Sequence, residues 1–202
     1  MKNNDRAVVI GSGPAAMVAA SQIAEGGVPV VVVAPAPTER WHQVFSAWKH
    51  ELPEGVPIED SWVAPCVRTS AGETILNGTY VRIAGEKYRL DLMDQSLSNG
   101  VDFVRARVQG VEHDSEGSIV RLDTGVSIRA RLVVDCSGQD TTFTVRRNPS
   151  QRAYQMAWGE EIEVDWHPWQ QGEMVLMDWT GVEEENPSFL YVQPLGKYRI
   201  FV

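Results

Sequence analysis

The residues with the clearest chemical potential form a glycine-containing segment near the amino terminus. The segment reads G-S-G-P-A-A and follows apolar residues 7–10. Gly11 permits a tight turn, Gly13 lets the backbone approach a phosphate, and Ala16 allows close packing of a helix on a strand. Free N–H groups at a helix start attract anions. We therefore predict a dinucleotide pyrophosphate site formed by Gly11, Ser12, Gly13, Pro14, Ala15 and Ala16.

The flanks of this segment predict a strand-helix-strand unit. The helix after the glycines runs to Gly26-Gly27, and residues 28–33 form an apolar run suited to a buried parallel strand. Dinucleotide folds usually carry an acid about twenty residues beyond the glycines, which binds the adenosine ribose. Here that place reads Val33-Ala34-Pro35. We expect weaker cofactor affinity unless Thr38 or Glu39 reaches the ribose.

Carboxylates in the last quarter of the chain are the candidates for acid-base chemistry. Asp178 follows the apolar residues 174–177, and burial facing a cavity would raise the pKa of its carboxyl group. Asp178 is thus the first candidate for a general acid or base, and a strand-end aspartate that caps a turn is the alternative. Glu163 is the second candidate, because acids at alternating strand positions point to opposite faces and only some of them point inward.

Aromatic residues cluster in the same region. Aromatic faces stabilise a cation by ~0.5–2 kcal/mol each when desolvated, although aromatics on alternating strands also serve as ordinary core. Four of the seven tryptophans fall within a short stretch: Trp158, Trp166, Trp169 and Trp179.

Composition excludes several classes of function. The 18 basic and 27 acidic side chains give a net charge of -9, which argues against a nucleic-acid surface. Cys66 and Cys136 lie far apart, and the histidines lack ligand spacing, so we predict no metal site. No apolar run is long enough to span a bilayer, and the start of the chain suits a cytoplasmic protein.

The pattern predicts an α/β protein with two domains. Residues 1–151 form a Rossmann-like dinucleotide-binding domain, with an excursion over residues 38–79 and a strand over residues 102–113. Residues 152–202 begin an antiparallel sheet, with strands over 153–164, 174–177, 189–193 and 198–202. The sequence stops inside an apolar strand, so we expect this sheet to be incomplete and the chain to be truncated.

Several motifs together resemble the lycopene cyclase family of the plant and cyanobacterial type. The resemblance covers nearly the whole chain and is densest after residue 152. Besides the glycine segment, its motifs are Asp135-Cys136-Ser137-Gly138, Ala153-Tyr154-Gln155, His167-Pro168, Met177-Asp178-Trp179 and Pro187-Ser188-Phe189-Leu190-Tyr191.

This resemblance implies a flavoprotein that closes the ends of linear lycopene into ionone rings without net redox change. It implies reduced FAD as cofactor, NAD(P)H as its reductant, a lipid-soluble carotenoid substrate and peripheral attachment to a membrane. Asp135, Ser137 and Gly138 match the second cofactor-binding turn of the family. Asp178 matches a motif expected to face the substrate cavity. The implied substrate-binding residues are Trp158, Trp179, Phe189 and Tyr191.

The chain also departs from the family pattern. The family motif Met-Asp-Trp-Arg has Thr180 at its last position here, and the Phe-Leu-Glu-Glu-Thr motif with the proposed catalytic acid would begin where the sequence ends. The alternatives are a flavin monooxygenase, halogenase or isoprenoid reductase, which share the nucleotide-binding fold, and a non-catalytic remnant.

Overall fold

A computed structural model of the chain describes residues 5–138, 143, 155–181 and 188–202. The chain divides into two compact units. The first unit contains Met1–His42 and Glu86–Gln151, and the second contains Gln43–Gly85 and Arg152–Val202. Of the motifs named above, Ala153, Tyr154 and Pro187 lie outside the described residues.

Strands predominate over helices in the described residues. The helices are α1 (Pro14–Glu25), α2 (Gly85–Ser98) and a short 3-10 helix (Lys49–Glu51). The strands are, in chain order, β1 (Ala7–Ile10), β2 (Val30–Ala34), β3 (Ser46–Trp48), β4 (Ile58–Trp62), β5 (Ala64–Thr69), β6 (Gly72–Ile75), β7 (Tyr80–Ile83), β8 (Asp102–Arg105), β9 (Val108–Asp114), β10 (Gly117–Leu122), β11 (Ser127–Ala130), β12 (Leu132–Asp135), β13 (Glu161–Glu163), β14 (Glu173–Asp178), β15 (Leu190–Pro194) and β16 (Arg199–Phe201).

The first unit is built on a parallel sheet with the strand order β12-β1-β2-β8. Both faces of β1 and β2 are covered, which explains their uninterrupted apolar sequences. One face packs on α1, where Val9 and Val32 contact Ala16 and Ala20 in one cluster. The other face packs on the antiparallel sheet β11-β10-β9. The predicted strand-helix-strand unit and the α/β architecture are confirmed.

The strand order creates a crevice beside β1. From β1 the chain crosses to β2 and then β8, and it later returns to place β12 on the other side of β1. In open α/β sheets, ligands bind outside the carboxyl ends of the strands where the order reverses in this way. The glycine segment begins at the carboxyl end of β1, so it lies at this position.

The second unit contains a six-stranded sheet, β13-β16-β15-β14-β5-β6, and a three-stranded sheet, β3-β7-β4. The four strands described within residues 152–202 pair antiparallel with one another, as predicted. Strand β14 also pairs in parallel with β5, with Cys66 opposite Val175, and this pairing was not predicted. Its strands β3 to β6 come from the segment predicted as an excursion. Sequence patterns do not reveal such long-range pairing, because the alternation of side chains is the same for parallel and antiparallel neighbours.

Two strand predictions differ from the structure. The strand predicted over residues 102–113 is divided into β8 and β9, which belong to different sheets. The break falls at Ala106, whose N–H donates to the carbonyl of Ala34, and at Arg107, whose carbonyl accepts from Asp123. Of the strand predicted over residues 153–164, the described part forms only the short β13.

Candidate functional site

Gly11 fixes the end of β1 between its two neighbouring strands. Its N–H donates to the carbonyl of Val33 at 2.9 Å, and the N–H of Cys136 donates to the carbonyl of Ile10 at 2.9 Å. Gly11 has a φ of 117°, and a Cβ atom there would collide with the carbonyl oxygen of Cys136. Only glycine satisfies both the backbone angle and the close approach.

Gly13 leaves the start of α1 open. Gly13 is the N-cap residue of α1, and no side-chain hydrogen bond caps the helix there. A Cβ atom at Gly13 would meet nothing within 4 Å. Pro14 occupies the first turn, which contains no acidic residue. The N–H groups of Ala15 and Ala16 have no partner within the helix, by the geometry of a first turn. This open helix terminus fits the pyrophosphate of a dinucleotide.

The loop after β2 is tied to the glycine segment. Ser12 donates from its hydroxyl to the carbonyl of Ala36 at 3.2 Å. The indole N–H of Trp41 donates to the carbonyl of Ser12 at 2.8 Å. Both hydrogen bonds hold residues 35–41 beside the helix start, so the loop is a defined wall of the candidate cofactor site.

The end of β2 lacks the usual acid, and a glutamate lies in the loop that follows. Strand β2 ends at Ala34, which has no polar side chain. Arg105 lies 2.9 Å from the carboxylate of Glu39 and donates to the carbonyl of Pro35 at 3.2 Å. The carbonyl of Thr38 accepts from Arg89 at 3.0 Å. Of the two substitutes suggested by the sequence, Glu39 presents a carboxylate beside the residues that follow β2.

The second predicted cofactor turn lies next to Gly11. Asp135 ends β12 and is the direct partner of Ile10 in the sheet. Its Oδ1 accepts hydrogen bonds from the N–H of Ser137 at 3.1 Å and from its hydroxyl at 2.6 Å. Gly138 follows with a φ of 94°. All nine predicted cofactor-binding residues therefore lie at the carboxyl ends of β1 and β12.

Asp178 ends β14 and is held as a carboxylate. Its Oδ1 accepts from the N–H of Thr180 at 2.9 Å and from the hydroxyl of Thr180 at 2.6 Å. These hydrogen bonds, together with the charge of Arg68, lower the pKa of Asp178. The predicted rise of this pKa by burial is wrong, because hydrogen bonds to the charged form outweigh desolvation. The side chain of Asp178 is 16% exposed to solvent.

Arg68 approaches Asp178 from the neighbouring strand. The two residues are direct partners in the parallel pair β5 and β14, and Nη1 of Arg68 lies 3.8 Å from Oδ2 of Asp178. The guanidinium is held in turn by Glu73, with Nε 2.6 Å from the carboxylate. The N–H of Trp179 donates to the carbonyl of Arg68 at 2.8 Å. The end of β14 is thus fixed by both backbone and side chain.

The predicted aromatic residues divide into two groups. Trp179 and Phe189 form a pair with ring centroids 4.9 Å apart. Tyr191 contacts Phe201 edge to face, and burial raises the pKa of its hydroxyl. Trp158, by contrast, is 88% exposed. Of this set, Trp179 is the residue next to Asp178 in the chain, and its ring pairs with that of Phe189.

Glu163 lies away from Asp178 in the six-stranded sheet. Strands β16 and β15 separate β13 from β14, which corresponds to roughly 14 Å at the usual spacing of strands. Glu163 is exposed and lines a cleft of about 640 Å³ whose other charged or hydroxyl-bearing residues are Asp165, Tyr198 and Arg199. The two predicted catalytic carboxylates therefore occupy separate places in the sheet.

The second unit also holds charged and polar residues that the sequence did not single out. Arg82 and Gln193 are buried, although both lie in short apolar strands where alternation gave no signal for a buried polar residue. Burial raises the pKa of Asp60 in β4, with a further contribution from Glu59. Within the described residues no group of three or more metal-binding side chains occurs, and no helix has the length and apolarity needed to cross a bilayer.

The open helix terminus at the switch point of a parallel sheet, combined with a second unit of layered β-sheets, defines the fold of FAD-dependent flavoproteins. The chain is similar to a geranylgeranyl bacteriochlorophyll reductase-like protein from Thermoplasma acidophilum, with a TM-score of 0.67 and 14% identity over 98% of this chain and 55% of that chain. It is also similar to a myxobacterial chondrochloren halogenase described as FAD-dependent, with a TM-score of 0.60 and 17% identity over 97% and 51%.

The chain belongs to the lycopene cyclase family, because the sequence profile described as lycopene cyclase protein matches residues 7–202. It is 34% identical to a chloroplastic neoxanthin synthase of Solanum lycopersicum, over 99% of this chain and 44% of that protein. It is 30% identical to a chloroplastic lycopene beta cyclase of Arabidopsis thaliana, over 96% and 42%. The chain thus spans less than half the length of these relatives.

Proposed function

We propose that this chain carries the cofactor site and part of the substrate site of a flavin-dependent carotenoid cyclase that converts the linear ends of lycopene into ionone rings. The single observation that carries the proposal is the carboxylate of Asp178 next to Trp179 in the chain, with the ring of Trp179 paired with that of Phe189. A fixed negative charge beside aromatic faces is the arrangement that stabilises a carbocation.

The first unit holds the cofactor in this proposal. The open helix start at Gly13 receives the pyrophosphate of FAD, and the turn at Asp135 and Ser137 lies beside the dinucleotide. Glu39 accepts the ribose hydroxyls in place of the missing strand-end acid. When bound in reduced form, with NAD(P)H as the source of electrons, the flavin supplies electron density to the site without net oxidation of the substrate.

The second unit supplies the acid-base chemistry. Cyclisation adds a proton to a terminal double bond, forms one carbon-carbon bond and removes a proton from the resulting cation, so the mass of the substrate is unchanged. Asp178 accepts the proton that leaves, because its lowered pKa keeps it ionised at neutral pH. The same property makes it a poor proton donor, so we assign it the role of base. The proton that starts the reaction comes from a separate acid, which we place in the Phe-Leu-Glu-Glu-Thr motif of the family.

The aromatic residues act on the cation before this proton leaves. Trp179 and Phe189 present π faces that stabilise positive charge by ~0.5–2 kcal/mol each when desolvated. Tyr191 contributes a further ring from β15. Trp158 is exposed in this chain and joins the site only if another segment or the substrate covers it, and Glu163 has a lesser role at the distant cleft.

The substrate also determines where the protein works. Carotenoids dissolve in lipid, so we propose a cytoplasmic enzyme that attaches peripherally to a membrane and withdraws its substrate from the bilayer. Fractionation of cells that express the chain tests this attachment. A carbonate wash that releases the chain from the membrane fraction is the expected result, and a chain found wholly in the supernatant before the wash would contradict it.

Product analysis tests the cyclase proposal. Residues 1–202 are joined to the remaining part of the lycopene beta cyclase of Arabidopsis thaliana, and this fusion and its Asp178→Asn variant are expressed in a lycopene-accumulating bacterial host. The carotenoids are separated, and their masses are measured by mass spectrometry. We expect products with the mass of lycopene and a shortened chromophore from the wild type, and none from Asp178→Asn. Asp165→Asn, which changes an exposed acid of the same unit, is the matched control and retains the product.

The same measurement separates the alternative functions. A gain of oxygen, of halogen or of hydrogen would identify a monooxygenase, a halogenase or a reductase, respectively. A halogenase and a reductase-like protein are among the structural neighbours. Unchanged lycopene together with bound FAD would place the chain among cofactor-binding proteins that lack this activity. Either result overturns the cyclase proposal for this chain.

A further inference from the structure

A buried polar cluster lies between the two sheets of the second unit. Ser46 and Arg82 are direct partners across β3 and β7, in the three-stranded sheet. Gln193, from β15 of the six-stranded sheet, donates from Nε2 to the hydroxyl of Ser46 at 2.9 Å. The side chains of both sheets therefore meet in one layer.

Arg82 is held on three of its sides. The residue is 7% exposed. Its Nε lies 3.1 Å from the carboxylate of Glu59, its Nη2 donates to Glu161, and its central carbon lies 5.4 Å from the ring centroid of Phe201. Nη1 is buried and has no hydrogen-bond partner among the described residues. The charge of the guanidinium is therefore balanced by carboxylates, but one of its donor nitrogens has no hydrogen-bond acceptor among the described residues.

The amide oxygen of Gln193 is a buried acceptor without a donor among the described residues. The residue is 0% exposed, and its Oε1 is buried with no hydrogen-bond partner among the described residues. Its Nε2 donates to the hydroxyl of Tyr191. That hydroxyl also shares a hydrogen bond with Tyr80. Tyr191 has only one proton to donate, and its hydroxyl oxygen accepts the hydrogen bond from the amide N–H of Gln193. The amide oxygen of Gln193 is therefore turned away from Tyr191.

Strand register brings the residues around Arg82 and Gln193 into one row. Gln193 and Phe201 are direct partners across β15 and β16, and Glu161 is the partner of Phe201 across β13 and β16. These three side chains form one row on the same face of the sheet. The guanidinium of Arg82 lies above Phe201 and binds Glu161 on one side, so Gln193 is its neighbour on the other.

We propose that Arg82 and Gln193 form a buried binding site for one hydroxyl group, which accepts a hydrogen bond from Nη1 of Arg82 and donates one to Oε1 of Gln193. Leaving a buried donor and a buried acceptor unpaired costs about 1–3 kcal/mol each, and a hydroxyl is the smallest group that satisfies both. The ring of Phe201 forms the apolar floor of the site.

Two molecules offer this hydroxyl. One is an internal water, which typically makes about three hydrogen bonds to buried polar groups. The other is a hydroxylated end group of a carotenoid, and this second source rests on the proposed function. A pure hydrocarbon end such as that of lycopene satisfies neither atom, so with lycopene as substrate the hydroxyl group at this site is that of a water molecule.

Crystallography of the 202-residue chain at high resolution tests the site itself. We expect one oxygen atom within about 2.7–3.2 Å of both Nη1 of Arg82 and Oε1 of Gln193. Gln193→Leu removes the acceptor and loses this oxygen. Ser46→Ala is the matched control, because it removes a different hydrogen bond of Gln193 and retains the oxygen. A direct hydrogen bond between Arg82 and Gln193 in the wild type, or no oxygen in the gap, overturns the proposal.

Gln193→Met keeps the test informative if Gln193→Leu fails to fold, because methionine is similar to glutamine in length and lacks the amide oxygen. We expect the oxygen to be lost in Gln193→Met. Retention of an oxygen beside Nη1 of Arg82 in this variant would show that the acceptor at residue 193 does not bind it, which contradicts the proposal.

Binding measurements identify the source of the hydroxyl. Two carotenoids that differ only in a ring hydroxyl are titrated in detergent micelles, with tryptophan fluorescence as the readout. If the substrate occupies the site, the hydroxylated compound binds about tenfold more tightly to the wild type and to Ser46→Ala but not to Gln193→Leu. Equal affinities together with the crystallographic oxygen identify an internal water. Both results support the hydroxyl site, and neither depends on cyclase activity.

Discussion

Asp178 and Thr180 form a closed turn at the end of β14, in which one carboxylate oxygen accepts both the N–H at 2.9 Å and the hydroxyl at 2.6 Å. Asp135 and Ser137 form the same turn at the end of β12, at 3.1 and 2.6 Å. Both aspartates are thus fixed by a hydroxyl-bearing residue two positions later. In the second unit, this turn determines the protonation state of the candidate catalytic carboxylate.

Thr180→Val removes the hydroxyl donor and is expected to raise the pKa of Asp178, measured by NMR of the side-chain carboxyl carbon. The folded-state pKa of Asp178 lies below its unfolded value. The ionised group therefore adds stability above the unfolded pKa, and this stability is lost as the pH falls through the folded pKa. Thr180→Val shifts this loss to higher pH. Thr180→Ser keeps the donor and is the control, and an unchanged pKa in Thr180→Val would contradict the assignment.

Gly11→Ala is expected to lower the stability of the fold, whereas Gly13→Ala is expected to lower the affinity for the cofactor. At Gly11 the added methyl group collides with the carbonyl of Cys136, and its φ of 117° is strained for alanine, so thermal stability falls. At Gly13 the methyl group enters open space, so the fold is retained while FAD affinity falls by about tenfold or more. Thermal unfolding and flavin fluorescence measure the two effects. Equal FAD affinity in Gly13→Ala and the wild type would show that the pyrophosphate does not bind at Gly13.

Gly159→Ala is expected to destabilise the second unit by about 1–3 kcal/mol through overpacking. A Cβ atom at residue 159 would overlap the ring of Phe201, which lies between Arg82 and Tyr191 and has little room to move. Gly110→Ala is the control, since a Cβ atom there meets nothing within 4 Å. Urea unfolding followed by tryptophan fluorescence measures both. Equal midpoints for the two variants would show that Phe201 is free to shift.

Asp60→Asn is expected to stabilise the chain at neutral pH by roughly 0.5 kcal/mol, because solvent screens a partly exposed carboxylate. Burial raises the folded-state pKa of Asp60 above its unfolded value. Its ionisation therefore costs stability as the pH rises from the unfolded pKa to the folded pKa. Urea unfolding of both chains at neutral and at mildly acidic pH measures this effect. A difference between them that grows toward acidic pH would reverse the sign and refute the argument.

The local features of the cofactor site could be predicted from the sequence because they depend on neighbouring residues. Gly11 and Gly13 are specified by backbone angle and close approach, and the apolar runs around them specify a strand and a helix. The protonation state of Asp178 depends mainly on Thr180, two positions later, and fits the alternative of a strand-end aspartate that caps a turn. The ion pair of Asp178 with Arg68 could not be predicted, because Arg68 is 110 positions away in the sequence and meets Asp178 only through the pairing of β5 with β14.

The sequence by itself determined the glycine turn, the α/β architecture and the family, because each of these follows from short patterns of residue size, polarity and backbone freedom. Only the tertiary structure decided that β3 to β6 join the second unit, that Glu163 and Asp178 stand apart, and that Arg82 lies over Phe201, the strand partner of Gln193. Strand pairing between distant segments governs these relationships. The same alternating sequence can pair with many other strands, and the burial of apolar surface across the whole fold determines which pairing forms.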